Sequence, residues 1–354
     1  MTSRFAIRLR VWTVTLLTAG LLLLSAAGLC AEQSLAELLE QLRHPREAGA
    51  RLRAAEALAQ YGEYAVPALR RLIVDGDALV RSYACVALVR MGPRAAAAVP
   101  ELIEIGRNPG ESNDLRETAI LALGQIGPPA SPAFPMLQKV LGETPCPQLR
   151  QEVFSAFAAL ATPEAVAALI DMLEHGDQQE QRAILDGFSA QGAKAKSAAA
   201  ALLAFAARHP DCELCDWVFL TVTAFGPETA VELAAYLKAD QSEIRRRAAL
   251  ALSRLGSDAA VAVPALSEAL RDEAEIVRFW AAKALGNIGP EARQATGPLL
   301  SVLGDADPNV RWEATTAIAK IDPAAVTEDD WSRLLADSDP GVRQRAETIR
   351  TAGL

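Results

Sequence analysis

One phrase returns along this chain and constrains most of what it can fold into. An arginine follows an apolar residue, and a glycine stands eleven positions later: Arg51/Gly62, Arg81/Gly92, Arg116/Gly127, Arg245/Gly256 and Arg278/Gly289. Arg311 keeps the interval but meets Asp322, and Arg150 meets Ala161. Arg182 is one residue out of step with Gly192. Gly226 counts back to Cys215, so the sixth copy has lost its arginine, and Arg343 opens a final half copy. Successive starts lie 30 to 35 residues apart. A fixed period of this length marks a stack of supersecondary units, each unable to bury its apolar face alone.

Each unit reads as two helices. The glycine is placed to end the first helix in a left-handed turn that a Cβ resists. Proline opens the second, where its missing N–H has no intrahelical partner: Pro67, Pro100, Pro135, Pro163, Pro227, Pro264 and Pro298. Counted from the arginine, the third residue on is small or apolar (Ala84, Ala119, Val153, Val218, Ala248, Ala281, Ala314), and the seventh is bulky (Leu58, Leu88, Leu123, Phe157, Val222, Leu252, Leu285, Ile318). These positions form the expected buried stripe. The first and second residues on are mostly polar and are expected to face water: Ser82, Glu117, Gln151, Arg246, Glu313 and Gln344. No run of alternating β-branched residues occurs, so the fold class is all-α. Ser34 and Glu37 form a capping box for a short helix before the first copy, with His44-Pro45 as its stop. Acidic pairs precede the arginines, as in Asp75/Asp77, Asp305/Asp307 and Asp337/Asp339. Carboxylates there suit the free N–H groups of a helix start.

This phrase resembles a HEAT-type repeat, of the short bacterial kind found in phycobilisome-lyase-like proteins. The resemblance implies a right-handed α-solenoid of about nine helix hairpins plus a half repeat, over residues 32–354. It implies Asp–Arg ladders between adjacent repeats at Arg81, Arg278, Arg311 and Arg343. It also implies a surface of second helices that holds another protein. Arg70, Arg71, Glu101, Glu104 and Lys139 make that surface chemically mixed. Bilin attachment or removal is the enzymatic activity that such a resemblance would imply.

Residues 1–31 stand apart. Arg4, Arg8 and Arg10 precede an apolar run from Val11 to Leu24 and the small residues Ser25, Ala26, Ala27 and Gly28. This is the pattern of a secretory signal peptide. Three outcomes stay open: cleavage near Gly28 to Ala31, an uncleaved anchor through residues 11–29, or lipidation at Cys30. All three place the repeats outside the cytoplasm, secreted or periplasmic. The chain has 35 basic and 44 acidic residues. Such an acidic array repels phosphate backbones, so nucleic acid is not an expected partner. The run Arg245-Arg246-Arg247 reads as a solvated charged face.

Two groups depart from the repeat. The first is His209, Cys212 and Cys215. A local disulfide between Cys212 and Cys215, free thiols, a redox-active pair and a metal site are the four readings. Zinc would need further ligands, and the chain has no second Cys-x-x-Cys. Cys212 is expected at a helix start, where the dipole lowers a thiol pKa. The second group is aromatic. Trp217, Trp280, Trp312 and Phe279 occupy the first or second position after the arginine, where other copies are polar. Exposed aromatics of this kind are typical anchors for a protein partner. Packing under a loop or against Trp331 is the other reading. No catalytic constellation and no cofactor are expected. The functional expectation is a non-enzymatic, extracytoplasmic protein-interaction scaffold.

Overall fold

A computed structural model describes residues 34–351. The signal-peptide and anchor expectations, Cys30 included, lie outside these residues. The first compact unit runs to Ala87 and the second from Leu88 to Leu354.

In the first unit, Ser34 Oγ accepts from the Glu37 N–H at 3.3 Å, and Glu37 returns a carboxylate to the Ser34 N–H at 2.9 Å. This capping box starts α1 (Leu35–Arg43), which buries Leu38 and Leu42. Then come α2 (Ala50–Gln60), α3 (Val66–Asp75) and α4 (Ala78–Met91), the last crossing the boundary at Ala87. Arg51 donates from Nε to the Leu42 carbonyl at 2.9 Å. That bond caps the end of α1, so α1 serves α2 as the second helix of a preceding repeat would.

In the second unit the alternation continues: α5 (Val99–Arg107), α6 (Asn113–Ile126), α7 (Phe134–Glu143), α8 (Pro147–Leu160), α9 (Pro163–His175) and α10 (Gln178–Gln191). It goes on through α11 (Ala199–Arg208), α12 (Cys215–Thr223), α13 (Ala230–Ala235), α14 (Ser242–Leu255) and α15 (Val263–Ala269). It ends with α16 (Glu275–Ile288), α17 (Thr296–Ser301), α18 (Pro308–Ile321), α19 (Glu328–Leu335) and α20 (Pro340–Thr351). Even-numbered helices are the first of each pair and odd-numbered ones the second. No strand occurs among the described residues. The fold is an all-α solenoid, as the repeat period requires.

The expected stripe is the core. In this unit Ala119, Val153, Val218, Ala248, Ala281 and Ala314 are fully buried, as are Leu123, Phe157, Val222, Leu252, Leu285 and Ile318. Each bulky member contributes on the order of 1.5–3 kcal/mol by leaving water. The alanines let neighbouring first helices approach closely. At the tightest point a Cβ on Gly286 would stand 3.0 Å from the Ala317 Cα. The last helices close over Trp331, Leu334, Val342, Ala346 and Ile349.

The turn between paired helices is glycine chemistry except at Ala161 and at Asp322, which ends α18 with extended φ −158°. Gly289 ends α16 at φ 80°, ψ −143°, a region closed to side chains bearing a Cβ. A turn of 3-10 helix, Gly289–Ala295, then leads to α17. Ala161 holds the aligned place after α8 but sits at φ 52°, ψ 22°. It is the one non-glycine residue with positive φ among those described. The turn is rebuilt there: Thr162 Oγ1 caps the Ala165 N–H and α9 begins at once. Pro227 opens a short 3-10 helix, Pro227–Thr229, ahead of α13 and lies outside the α-helix itself.

Candidate partner-binding face

The acidic pairs divide their labour. In Asp305/Asp307 and Asp337/Asp339 the Asp six residues before an arginine reaches across to the previous repeat, and the Asp four before it caps its own helix. Arg278 grips Asp305 through two bonds, Nε to Oδ2 at 2.7 Å and Nη2 to Oδ1 at 2.8 Å. Its remaining nitrogen donates to the carbonyls of Asp272 and Glu273 in the connection just before its own helix. Asp307 then caps α18 by accepting from the N–H groups of Asn309 and Val310. Arg311 repeats the grip on Asp337 at 2.7 and 2.6 Å, and Arg245 on Asp272 at 2.6 and 2.9 Å. The Arg311 guanidinium outweighs burial and holds the Asp337 carboxyl below its usual range. Asp272 and Asp305 are also lowered, against the opposing effect of burial, by Arg245 and Arg278.

The implied ladder is therefore present at Arg278 and Arg311, and at Arg245 as well. Arg343 binds the carbonyls of Asp337 and Ser338 in its own repeat. Within the first unit, Arg81 donates to the Ile73 carbonyl.

Two positions correct the sequence alignment. Gln181, not Arg182, occupies the arginine place in the fifth repeat. It donates to the Leu173 carbonyl at 2.8 Å, Asp177 caps its helix four residues before, and Gly192 lies at the right interval. In the sixth repeat Cys215 stands in that place, and its thiol donates to the His209 carbonyl at 3.0 Å. A thiol cannot cross to the next repeat. The next repeat reaches back instead. Arg247 donates to Asp216 Oδ1 at 2.6 Å and to the Pro210 carbonyl at 2.7 Å, and Arg246 reaches Asp216 at 2.7 Å.

The expectation of a solvated face at Arg245-Arg246-Arg247 is thereby overturned: Arg245 and Arg247 are 8% and 7% exposed. The cause is the register of the stack. A side chain two residues after the arginine leans over the residue one after the arginine in the preceding repeat. Arg247 on Asp216 and Arg345 on Trp312 are two instances. Glu313, also expected to face water, is 3% exposed. Glu152, lying near Glu117, is driven from 4.5 to about 7 by burial and by that neighbouring carboxylate.

Cys212 lies three residues before the helix start. It is Cys215 that opens α12, and burial, with the Cys212 sulfur beside it, pushes its thiol up to about 12. Cys212 Sγ accepts from the Leu214 N–H at 3.4 Å. Both cysteines are thiols in this structure. Among the described residues no three of His, Cys, Asp and Glu gather as a metal site.

The aromatics fall into separate settings. Trp217 is half-buried. Phe279 and Trp280 are half-buried and meet edge to face at 5.3 Å, with Lys283 Nζ 5.5 Å and 5.2 Å over their rings. Trp312 is 36% exposed, with the Arg345 guanidinium 5.3 Å over its ring. Trp331 is buried in the C-terminal cluster.

The second-helix surface carries a groove of about 520 Å³ between α9 and α11. Pro163, Val166, Ile170 and Ala201 line it, and the Glu174–Arg208 ion pair, 2.6 Å, closes one end. Elsewhere on that surface Glu104 pairs with Arg107 and Lys139 with Glu143.

A family profile described as HEAT repeats matches residues 35–110, 99–187, 232–296 and 263–350. The unmatched stretch between 187 and 232 contains the repeat whose arginine is Cys215. No curated protein sequence matches the chain. Among solved structures, Kap95p in complex with RanGDP superposes with a TM-score of 0.43 at 13% identity, covering 90% of this chain and 49% of that one. Kap121p gives 0.46 at 13%, covering 89% and 40%. Human deoxyhypusine hydroxylase gives 0.33 at 22%, covering 81% and 95%. The chain thus spans about half or less of the two Kap proteins.

Proposed function

Because the chain belongs to the HEAT-repeat family, whose solenoid is commonly a protein-interaction scaffold, we propose that it is a non-enzymatic scaffold that holds another protein outside the cytoplasm. The observation that carries this is the aromatic face of α16 and α18. Trp312 is more than a third exposed on a helix whose Ala314, Ala317 and Ile318 are fully buried. Large aromatics left at a surface, rimmed by polar groups, are the residue types on which binding energy concentrates. Phe279, Trp280 and Trp312 are the anchors in this reading, and Trp217 is a further candidate one repeat before α14.

The basic start and apolar run of residues 1–31 support export, with the repeats secreted, periplasmic or held at the membrane through residues 11–29. Fractionation of cells expressing the tagged full chain tests this, and recovery of the protein in the cytoplasm overturns it. For the scaffold, cross-linking in the native envelope followed by pull-down should recover a partner with wild type. The Trp280→Ala/Trp312→Ala variant should lose that partner while keeping its thermal midpoint. A large fall in the midpoint would mark these rings as structural instead.

We also propose that Cys212 and Cys215 close a disulfide by exchange with a small disulfide such as oxidised glutathione. Each thiol gives up its hydrogen, the sulfur–sulfur bond forms, and the glutathione disulfide is reduced to its two thiols. The intact mass should fall by two hydrogens and recover on reduction. An unchanged mass after exposure to glutathione disulfide would refute it.

A further inference from the structure

The charges around the aromatic face say what kind of partner it fits. Most of the buried guanidinium groups in this unit are matched to carboxylates, as Arg245, Arg278 and Arg311 are. Lys283, Lys320 and Arg345 are different. Lys283 lies over Phe279 and Trp280. Lys320 Nζ donates to Asn287 Oδ1 at 3.4 Å. Arg345 lies over Trp312 and donates to Thr316 Oγ1 at 2.9 Å. Among the described residues none of the three makes an ion pair within 4.0 Å.

Their shared electrostatic neighbour is Glu313, whose carboxyl is pushed up by burial and drawn back down by all three cations. This carboxylate is 3% exposed, and its Oε2 has no hydrogen-bond partner. Three cations without an ion-pair partner thus share this face with one buried carboxyl group, leaving a local excess of positive charge in a chain with 35 basic and 44 acidic residues. A cation over an exposed ring gains only about 0.5–1 kcal/mol, so these groups stay available to a better partner. A carboxylate is that partner, since charge-assisted hydrogen bonds are roughly twice as strong as neutral ones.

We propose that the face formed by α16, α18 and α20 docks an acidic segment of a partner protein, its carboxylates on Lys283, Lys320 and Arg345 and its apolar side chains on Trp312. The proposal rests on the scaffold reading and names the chemistry of the partner. Negative charge on Glu313 competes with an incoming carboxylate for the three cations.

The test uses the full chain and a fluorescein-labelled peptide with a leucine–phenylalanine pair flanked by glutamates, followed by anisotropy. Wild type should bind it, with affinity falling as salt rises. Lys320→Gln and Arg345→Gln should each weaken binding several-fold, and Lys283→Glu should abolish it. Glu313→Gln should tighten it several-fold, an effect that merely structural damage would not produce. Thermal melts of each variant separate lost charge from lost fold, and exposed Lys320 supplies the variant least able to disturb the core. Equal binding of the corresponding lysine peptide, or no response to Lys320→Gln and Glu313→Gln, overturns the proposal. Tighter binding of a single-stranded oligonucleotide would assign the face to nucleic acid and overturn it too. A photo-cross-linker at position 312 separates the two layers. Capture of a partner through a basic segment sinks the acidic partner and leaves the scaffold. Failure of both peptide and cross-linker sinks both.

Discussion

The repeats built on α14 to α20 and the repeat built on α12 solve one problem in two ways. In the first region a single arginine caps the carbonyls of its own hairpin and also grips the aspartate of the next, as Arg278 does with Asp305. In the second, the two tasks are separated. The Cys215 thiol meets the local carbonyl, and Arg247 supplies the tie between repeats from the opposite side. The comparison teaches that the local bond and the tie between repeats need not come from one residue. Charge carries the tie in either case, because only a long guanidinium reaches across a hairpin and satisfies several acceptors at once.

The largest expected effect comes from breaking a rung in the regular region. Asp305→Ala leaves the half-buried Arg278 without its carboxylate and should cost about 3 kcal/mol in chemical denaturation, the low end of what breaking a buried pair costs. The same variant should change the acid limb. Asp305 has a lowered folded pKa, so its contribution is full above the ordinary aspartate range and disappears as pH falls through the folded value. The gap between wild type and variant should therefore close in acid; a constant gap would deny the pair its electrostatic role.

In the irregular region the cost should lie with Arg247. Arg247→Ala should lose about 1.5–3 kcal/mol, the range for hydrogen bonds to charged groups. If it costs less than Cys215→Ser, the tie has not moved to the next repeat and the comparison fails.

Glu152 lies outside both regions, on α8, with Glu117 nearby. Its folded pKa is raised to about 7 from 4.5. The favourable protonated form is fully populated below the unfolded value, and that stability is lost as pH rises through about 7. Glu152→Gln should melt higher than wild type at pH near 8 and alike in mild acid. An equal difference at both would leave the carboxylate without this effect.

Smaller effects finish the series. Ala161→Gly should stabilise the protein by roughly 1 kcal/mol, the order of the left-handed penalty that a Cβ brings. With both cysteines reduced, Cys215→Ser keeps a short donor at the His209 carbonyl and should shift stability by no more than about 1 kcal/mol.

Much of the architecture was legible in the chain. The interval from Arg278 to Gly289 marks the helix, its end and the glycine turn because these are local events, set by backbone preference within one hairpin. The stripe from Ala281 to Leu285 marks the buried face by helical spacing alone. The capping box at Ser34 and Glu37 is equally local. The fifth repeat was harder: glutamine and arginine stand side by side at 181 and 182, and only the bond to the Leu173 carbonyl shows which holds the place. The interval to Gly192 was the signal that could have found it.

The aromatic and charged face shows where local reading stops. Trp312 and Glu313 are neighbours in sequence, both in a stretch expected to face water, yet one is 36% exposed and the other 3%. That difference depends on which side chains of α16 and α20 arrive beside them. Asp216 and Arg247 are 31 residues apart and in contact. Periodicity determines the helices, their ends and the face that must be buried, since those follow from one turn of backbone and its next. The pairing of charges across repeats, and the choice of which polar position becomes a seam and which a surface, are decided by the register of the stack. That register is a property of packed neighbours and exists only once the repeats are folded against each other.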